Sequence, residues 1–215
     1  MRKLLYLFVL ALCFTGTSLY ATTILSENFN ELTAQLGVTS AGQFHTINGT
    51  NVDIVGASNG WGFLVVPPES GNAIDLGGSG GNSFGQLQSV ALTLNPGIYS
   101  FSFDLNGSQR GVATTTRVNI APASGPALYN SVFGLGSNGS VVVNDAMFTV
   151  SGSPETVFLT FSLLGGATNI GSLLDNVSIN TGPNSPVPEP GTLLLLGSGL
   201  TALAGIMRRS RGTRA

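Results

Sequence analysis

Short runs in which apolar and polar residues alternate recur along the middle of the chain. Clusters of Gly, Asn, Ser, Thr and Pro separate them about every ten positions. In residues 99–105 and 157–163, large apolar side chains alternate with small polar ones. Successive side chains of a strand point to opposite faces, so each run places one face in a core and the other toward water. We therefore predict an all-β fold, an antiparallel β-sandwich.

The same pattern sets the expected strands. They cover residues 23–29, 52–55, 62–66, 73–76, 87–94, 97–106, 116–120, 141–143, 147–150, 156–163 and 173–179, with one helical turn at 30–36. Pro96 and Gly97 separate two of these strands and predict a type II turn, because Pro presets φ and Gly supplies a positive φ.

The end of the chain has a different pattern. Residues 191–207 carry no charged side chain over seventeen positions, and as a helix they would be roughly 25 Å long, the short limit for crossing a bilayer. A basic cluster follows, which keeps the C-terminus in the cytoplasm: Arg208, Arg209, Arg211 and Arg214. We predict a Pro-rich linker at 183–191, a short transmembrane helix at 192–207 and a basic cytoplasmic tail at 208–215.

The segment before this helix carries a recognisable motif. Val187, Pro188, Glu189 and Pro190, followed by the Leu- and Gly-rich stretch and the arginines, resemble the PEP-CTERM sorting signal of exopolysaccharide-producing, mostly Gram-negative bacteria. The resemblance implies recognition by a membrane-embedded exosortase, removal of the tail, and delivery of the body to the cell surface or extracellular matrix from an inner-membrane intermediate. An ordinary C-terminal anchor would explain the apolar run and the arginines, but not Pro-Glu-Pro.

The start of the chain agrees with export. Arg2 and Lys3 precede an apolar region at 4–14 and a small, polar region ending at Ala21, which together predict a signal peptide at 1–21. The only cysteine, Cys13, lies inside it. The mature chain would therefore contain no disulfide.

Residues 22–182 remain as one predicted β-sandwich domain. Between residues 22 and 185, two arginines face nine carboxylates, a formal net charge of −7, because six of the eight basic residues lie in the terminal segments. Nucleic acids and anionic lipids need clustered Lys and Arg, so neither is an expected partner. Neutral sugars and divalent cations fit this charge better.

Short phrases of the body resemble a galactose-binding-like jelly roll. They lie at residues 73–78, 90–94 and 99–105, with the Pro-Gly turn between the last two, and at 173–179. The resemblance implies a structural Ca²⁺ where the first and last strands meet, with Glu27 and Asp175 as matching oxygen ligands. Alternatively, Asp175 accepts backbone hydrogen bonds and Glu27 is a solvated strand residue. No other cofactor is expected.

Aromatic side chains in loops are the candidate ligand-binding residues. Trp61 lies between glycines beside Asn59, and Tyr129 is a second loop aromatic; an exposed ring near amides suits sugar stacking and hydrogen bonding. Either ring could instead be packed in the core. Arg110 and Arg117 could reach a ligand carboxylate or form surface ion pairs.

Catalytic patterns are mostly absent. His45 is the only histidine, and no serine has a nucleophile-elbow context. We therefore expect a non-enzymatic exported protein that binds or packs with exopolysaccharide. One alternative is a matrix or appendage subunit that assembles through protein-protein contacts. A second is a glycan hydrolase with paired carboxylates, drawn from Asp53, Asp75, Asp104 and Asp145.

Overall fold

A computed structural model describes residues 21–56, 71–80 and 84–182, together with Ser198 and Gly199, which are helical. The described residues from 21 to 182 belong to one compact unit. The predicted strand at 62–66 lies outside the described residues, as do the signal peptide before Ala21, the linker from Pro183 and nearly all of the predicted C-terminal helix. Within the described ranges, no helix has the length and apolar character needed to span a bilayer.

Fourteen strands make up the described part of the body. They are β1 (Thr23–Glu27), β2 (Gln35–Val38), β3 (Ser40–Ala41), β4 (Phe44–Thr46), β5 (Val52–Gly56), β6 (Asn72–Asp75), β7 (Gln86–Ser89), β8 (Leu92–Leu94), β9 (Gly97–Asn106), β10 (Thr114–Pro122), β11 (Tyr129–Leu135), β12 (Ser140–Val150), β13 (Glu155–Gly165) and β14 (Leu173–Thr181). All the pairings between them are antiparallel.

The strands form two sheets that pack face to face. Sheet A has the order β12-β9-β14-β6-β5-β2, with β1 also paired to β14, and sheet B has the order β11-β10-β13-β7-β4-β3, with β8 also paired to β13. The connections from β9 to β10, β11 to β12, β12 to β13 and β13 to β14 each cross from one sheet to the other. This layout confirms the predicted all-β antiparallel sandwich.

Aromatic rings from both sheets interlock in the core. Phe103 of β9 lies edge-on to Phe161 of β13 at 5.4 Å between ring centroids, and edge-on to Phe133 of β11 at 5.5 Å. Phe101 contacts Tyr129 of β11 in the same way at 4.6 Å. Each such ring pair stabilises the fold by about 0.5–1.5 kcal/mol beyond the contribution from its buried apolar area. These contacts therefore favour one arrangement of the two sheets.

Several local predictions were wrong. The predicted strand at 87–94 is two strands, because the chain breaks at Val90 and Ala91 and β7 and β8 pair with different parts of β13. The helical turn at 30–36 is not formed, since β2 begins at Gln35. Gly97 does not have the positive φ of a type II turn; it begins β9 and pairs with Val150.

The pattern also missed strands at the sheet edges. β2, β3 and β4 have only two to four residues, too few for alternation to be visible. In β11 the positions directed inward include Ser131 between Tyr129 and Phe133, which weakens its apolar signal. The predicted strands at 141–143 and 147–150 are one strand, β12, interrupted by an irregular pairing around Asn144 and Asp145.

Candidate functional site

The outward-facing side of sheet B carries a continuous row of hydrogen-bonding side chains. Pairing in register joins one residue from each of six neighbouring strands: Ser40, His45, Gln88, Thr160, Asn119 and Asn130. Buried apolar residues flank these positions on the same strands, so alternation turns the row away from the core. With neighbouring strands about 4.8 Å apart, the row is roughly 24 Å long.

A second row lies beside the first. It consists of Gln86, Ser162, Arg117 and Val132, one residue from each of four strands. Few of the polar groups are used internally: Gln88 Nε2 donates to Thr160 Oγ1 at 3.3 Å, and Gln86 Oε1 accepts from Asn48 Nδ2 at 2.9 Å. Within the part of the chain that the structure describes, the side chains of Asn119, Asn130 and Arg117 have no such partner.

An apolar patch continues this surface. Leu163 N donates to Gly85 O at 2.9 Å, which extends the pairing of β13 with β7. In this register Phe84 lies opposite Leu164. Both side chains are 45% exposed, although both are large and apolar. We call the two rows together with Phe84 and Leu164 the polar face of sheet B.

A shallow pocket adjoins one end of this face. It has a volume of about 380 Å³ and is lined partly by Thr33, Gln35, Thr39 and Ser40. Ser40 is also the last residue of the first polar row. The hydroxyl and amide surface therefore continues around the β3 edge into a concave site.

The arrangement is chemically suited to sugars. An exposed aromatic ring provides an apolar surface against which the C–H face of a pyranose can pack, and amides and hydroxyls both donate to and accept from sugar hydroxyls. A row that crosses the strands can contact successive units of an extended polymer. Such a surface is able to hold a glycan, and the described residues of the polar face include no carboxylate.

The outward-facing side of sheet A is different, because much of it is closed to solvent. Val55, Ala73 and Leu173 form a small apolar cluster apart from the main core, each 1% exposed. Asp53 of β5 and Asp75 of β6 are cross-strand partners in the same region, and both are buried. The sandwich therefore has one open and one partly covered outer face.

The two aspartates that meet on this face are fully engaged. Asp53 accepts hydrogen bonds from Gly37 N and from the backbone and hydroxyl of Ser79, at 2.7–2.8 Å. Asp75 Oδ1 accepts from Gly77 N at 2.8 Å and Gly171 N at 2.9 Å, and Oδ2 pairs with Arg110. The structure thus places two candidate catalytic carboxylates side by side, but it uses both in holding loops together.

Burial raises the pKa of Asp75 from 3.8 to about 6. The Arg110 charge and the two backbone N–H groups favour the ionised form and oppose this rise, while nearby Asp53 adds to it. Loss of solvation exceeds these favourable contacts because the carboxyl group is almost fully enclosed. Asp75 is therefore a group that titrates in a mildly acidic range.

The two predicted calcium ligands have different hydrogen-bond partners. Glu27 Oε1 accepts from Phe29 N at 3.1 Å and Oε2 from Gln43 N at 3.0 Å, so its carboxylate reaches the turn between β3 and β4. Asp175 is buried beside its cross-strand partner Asp104, and its Oδ1 accepts from Asn176 N at 2.7 Å. Among the described residues no three His, Cys, Asp or Glu side chains converge. Calcium binding by Glu27 and Asp175 stays a prediction from the sequence.

The predicted aromatic ligand residues have separate outcomes. Tyr129 is the first residue of β11, not a loop residue, and its ring packs on Phe101. Its role in ligand binding remains untested. Trp61 and Asn59 lie outside the described residues.

Phe84 was missed by sequence reasoning. It follows a Gly-rich stretch, and the only available signal was the polar alternation that begins with Gln86 and Gln88 just after it.

Comparison with known families concerns the end of the chain. Residues 186–211 match the PEP-CTERM protein-sorting motif. The chain carries this motif. It indicates an exported protein that an exosortase sorts at the membrane, as the resemblance of Val187 to Pro190 predicted. No curated protein sequence matches the chain.

Solved structures resemble the body. A cyclase from Fischerella sp. in its apo form is 17% identical with a TM-score of 0.55, covering 78% of this chain and all of the cyclase chain. The arabinose-bound GH51 α-L-arabinofuranosidase is 13% identical with a TM-score of 0.50, covering 74% of this chain but only 26% of the enzyme.

A third structure is the C-terminal family 22 carbohydrate-binding module of Clostridium thermocellum Xyn10B. It is 12% identical with a TM-score of 0.46, covering 76% of this chain and 95% of the module. At these identities the similarities concern the fold alone. The similar structures include both enzymes and a binding module, and the described residues give no positive indication of catalysis.

Proposed function

We propose that the exported body binds extracellular polysaccharide through the polar face of sheet B. The observation that carries the proposal is the six-strand row of hydrogen-bonding side chains, with the second row beside it and Phe84 exposed next to that second row. Exposure supports the proposal, because a ligand can reach both the ring of Phe84 and the amides of the two rows. Export by the sorting motif delivers this face to where polysaccharide is found.

The row also explains why binding would be non-catalytic on this face. Its groups are amides, hydroxyls, one guanidinium and one imidazole, and the described residues place no carboxylate there. Glycoside cleavage normally requires a pair of carboxyl groups on either side of the bond. Polymer contacts would be shallow, numerous and individually weak, with hydrogen bonds contributing about 0.5–1.5 kcal/mol each.

The test is affinity electrophoresis of the exported protein through gels that contain polysaccharide. We expect Phe84→Ala to weaken binding about fivefold, since stacking on a ring contributes about 1 kcal/mol. Val142→Ala is the matched control, because Val142 is an exposed apolar residue of sheet A, 53% accessible. Melting temperatures of both variants show whether the fold is retained.

Trp61→Ala distinguishes this site from the one expected from the sequence. If Trp61→Ala abolishes binding while Phe84→Ala has no effect, the ligand binds elsewhere and the proposed face is wrong. If both variants weaken binding, the surface extends beyond the polar face. Release of reducing sugar from the same polymers would support hydrolysis instead.

Assembly between copies is a second candidate function. β12 is an eleven-residue strand at the edge of sheet A, and it exposes Val142 and Met147. An exposed edge strand can pair with another chain, although the irregularity at Asp145 interrupts this one. Sedimentation of the wild type and of the Val142→Lys variant tests this alternative. If both are monomers, assembly between copies through β12 is excluded.

A further inference from the structure

Charged side chains are distributed unevenly between the two sides of the sandwich. Most described carboxylates belong to strands of sheet A: Glu27, Asp53, Asp75, Asp104, Asp145 and Asp175. Glu31 lies in the connection between β1 and β2. Glu155 begins β13 and lies on the same side of that strand as the core residues Val157 and Leu159. The outward-facing side of sheet B carries Arg117 and His45 but, within the described residues, no acidic group.

Arg117 lies well inside this face. Its cross-strand partners are Val132 and Ser162, and the next outward positions on β10 are Thr115 and Asn119. The side chain is exposed and has no ion-pair or hydrogen-bond partner among the described residues, whereas Arg110 is held by Asp75. A guanidinium group in this setting presents its planar fork of donors to a ligand, which suits a carboxylate.

Distance keeps the acidic side of the molecule from cancelling this charge. Packed sheets are about 10 Å apart, and outward side chains add to that separation. Asp53, Asp75, Asp104 and Asp175 are buried in sheet A, where each accepts local hydrogen bonds and Asp75 also pairs with Arg110. Glu155 is about 23 Å from Ser162 along β13. Among the described residues, the polar face therefore carries the charge of Arg117 and no carboxylate, although the body has a net charge of −7.

We propose that the polar face of sheet B binds an acidic polysaccharide, with Arg117 pairing with a carboxylate of a uronic acid unit. This inference rests on the proposed function and specifies the charge of its ligand. Ser162 and Gln86 lie in the same row as Arg117 and offer a hydroxyl and an amide to the same sugar. Phe84 packs against the apolar side of a neighbouring unit. The ligand class thus differs from the neutral sugars expected from net charge.

The test compares polymers that differ only in charge. Polygalacturonate and alginate are each paired with a methyl-esterified counterpart, and binding of the exported protein is measured by affinity electrophoresis and calorimetry. We expect the wild type to bind the charged polymers at least tenfold more tightly, and to lose that preference as salt rises. Arg117→Gln removes the preference, while Arg117→Lys retains part of it, because Lys keeps the charge but lacks the planar fork.

Arg110→Gln is the matched control. It also removes one positive charge, but from an arginine that pairs with Asp75 and does not lie on the polar face. It should keep the preference for charged polymers. If Arg110→Gln and Arg117→Gln reduce the preference equally, net charge is responsible and the inference is wrong.

Two other results separate this inference from the proposed function. If wild type binds charged and esterified polymers equally, and Phe84→Ala weakens both, the polar face binds glycans but Arg117 does not select acidic ones. If neither polymer of either pair binds, the inference and the proposed function both fail.

Discussion

The two outer faces of the sandwich are built from the same alternating pattern but have different environments. On sheet B, Gln86, Gln88 and Asn119 remain accessible beside the exposed ring of Phe84. On sheet A, Leu173 and Asp75 occupy equivalent outward positions and are each only 1% exposed. Alternation therefore predicts which side chains point away from the core, but it does not predict whether water reaches them. The accessible face is the better candidate for ligand binding, and the covered face contributes to stability.

The sharpest test of this comparison replaces one leucine on each face. We expect Leu173→Ala to lower the free energy of unfolding by about 3 kcal/mol, because it leaves a cavity in a closed cluster. Leu164→Ala removes the same atoms from a side chain that is 45% exposed, and should cost less than about 1 kcal/mol. Urea denaturation measures both. Equal losses would mean that the two faces do not differ in burial.

The pH dependence of stability tests the charged part of the covered face. The pKa of Asp75 is about 6 in the folded protein, compared with 3.8 for an unperturbed Asp side chain, which represents the unfolded chain. The folded state therefore binds the proton more tightly. Its stabilising contribution is fully present below pH 3.8 and is lost as pH rises to about 6. Relative to Asp75→Asn, we expect the wild type to lose about 2–3 kcal/mol over this range.

The control for this titration is Asp145→Asn, which removes a carboxylate from β12. Asn tolerates the positive φ of 54° at this position. This variant should retain the decline in stability between pH 4 and 6. A decline that persists in Asp75→Asn would assign the titration to another group.

The smallest expected effect compares the two arginines of the body. Arg110→Gln removes the charge that favours ionised Asp75, so the pKa of Asp75 should rise further. The cost at pH 8 should be about 1 kcal/mol, since the Arg110 side chain is 31% exposed and solvent screens the pair. Arg117→Gln should change stability by less than about 0.5 kcal/mol. Chemical denaturation of both variants checks this, and a larger loss for Arg117→Gln would reveal a structural role.

Sequence reasoning performed best where the signal was local. The runs at 99–105 and 157–163 predicted two strands, and the structure has them as β9 and β13. The prediction succeeded because apolar and polar residues alternate within each strand. The sorting motif was identified in the same way, from contiguous residues. Edge strands such as β3 escaped detection because two residues cannot show a period.

The candidate site was much harder to predict. Gln88 and Asn119 were unremarkable polar positions of separate strands, and only their shared partner Thr160 joins them into one row. Phe84 became a candidate because of its exposure, which depends on what packs around it. The sequence did raise a ligand carboxylate as one role for Arg110 or Arg117. The structure separates the two residues, since only Arg110 has Asp75 beside it.

Local order along the chain determined the all-β character, the sorting motif and the acidic composition of this protein, because each depends on neighbouring residues or on simple counts. Tertiary structure alone decided which polar residues form a surface and which are buried. Asp75 is one acidic residue among nine in the sequence of the body, and only its burial in the fold raises its pKa against the opposing charge of Arg110. The physical reason is that register and packing join residues far apart in the chain, such as Ser40 and Asn130 at the two ends of one row.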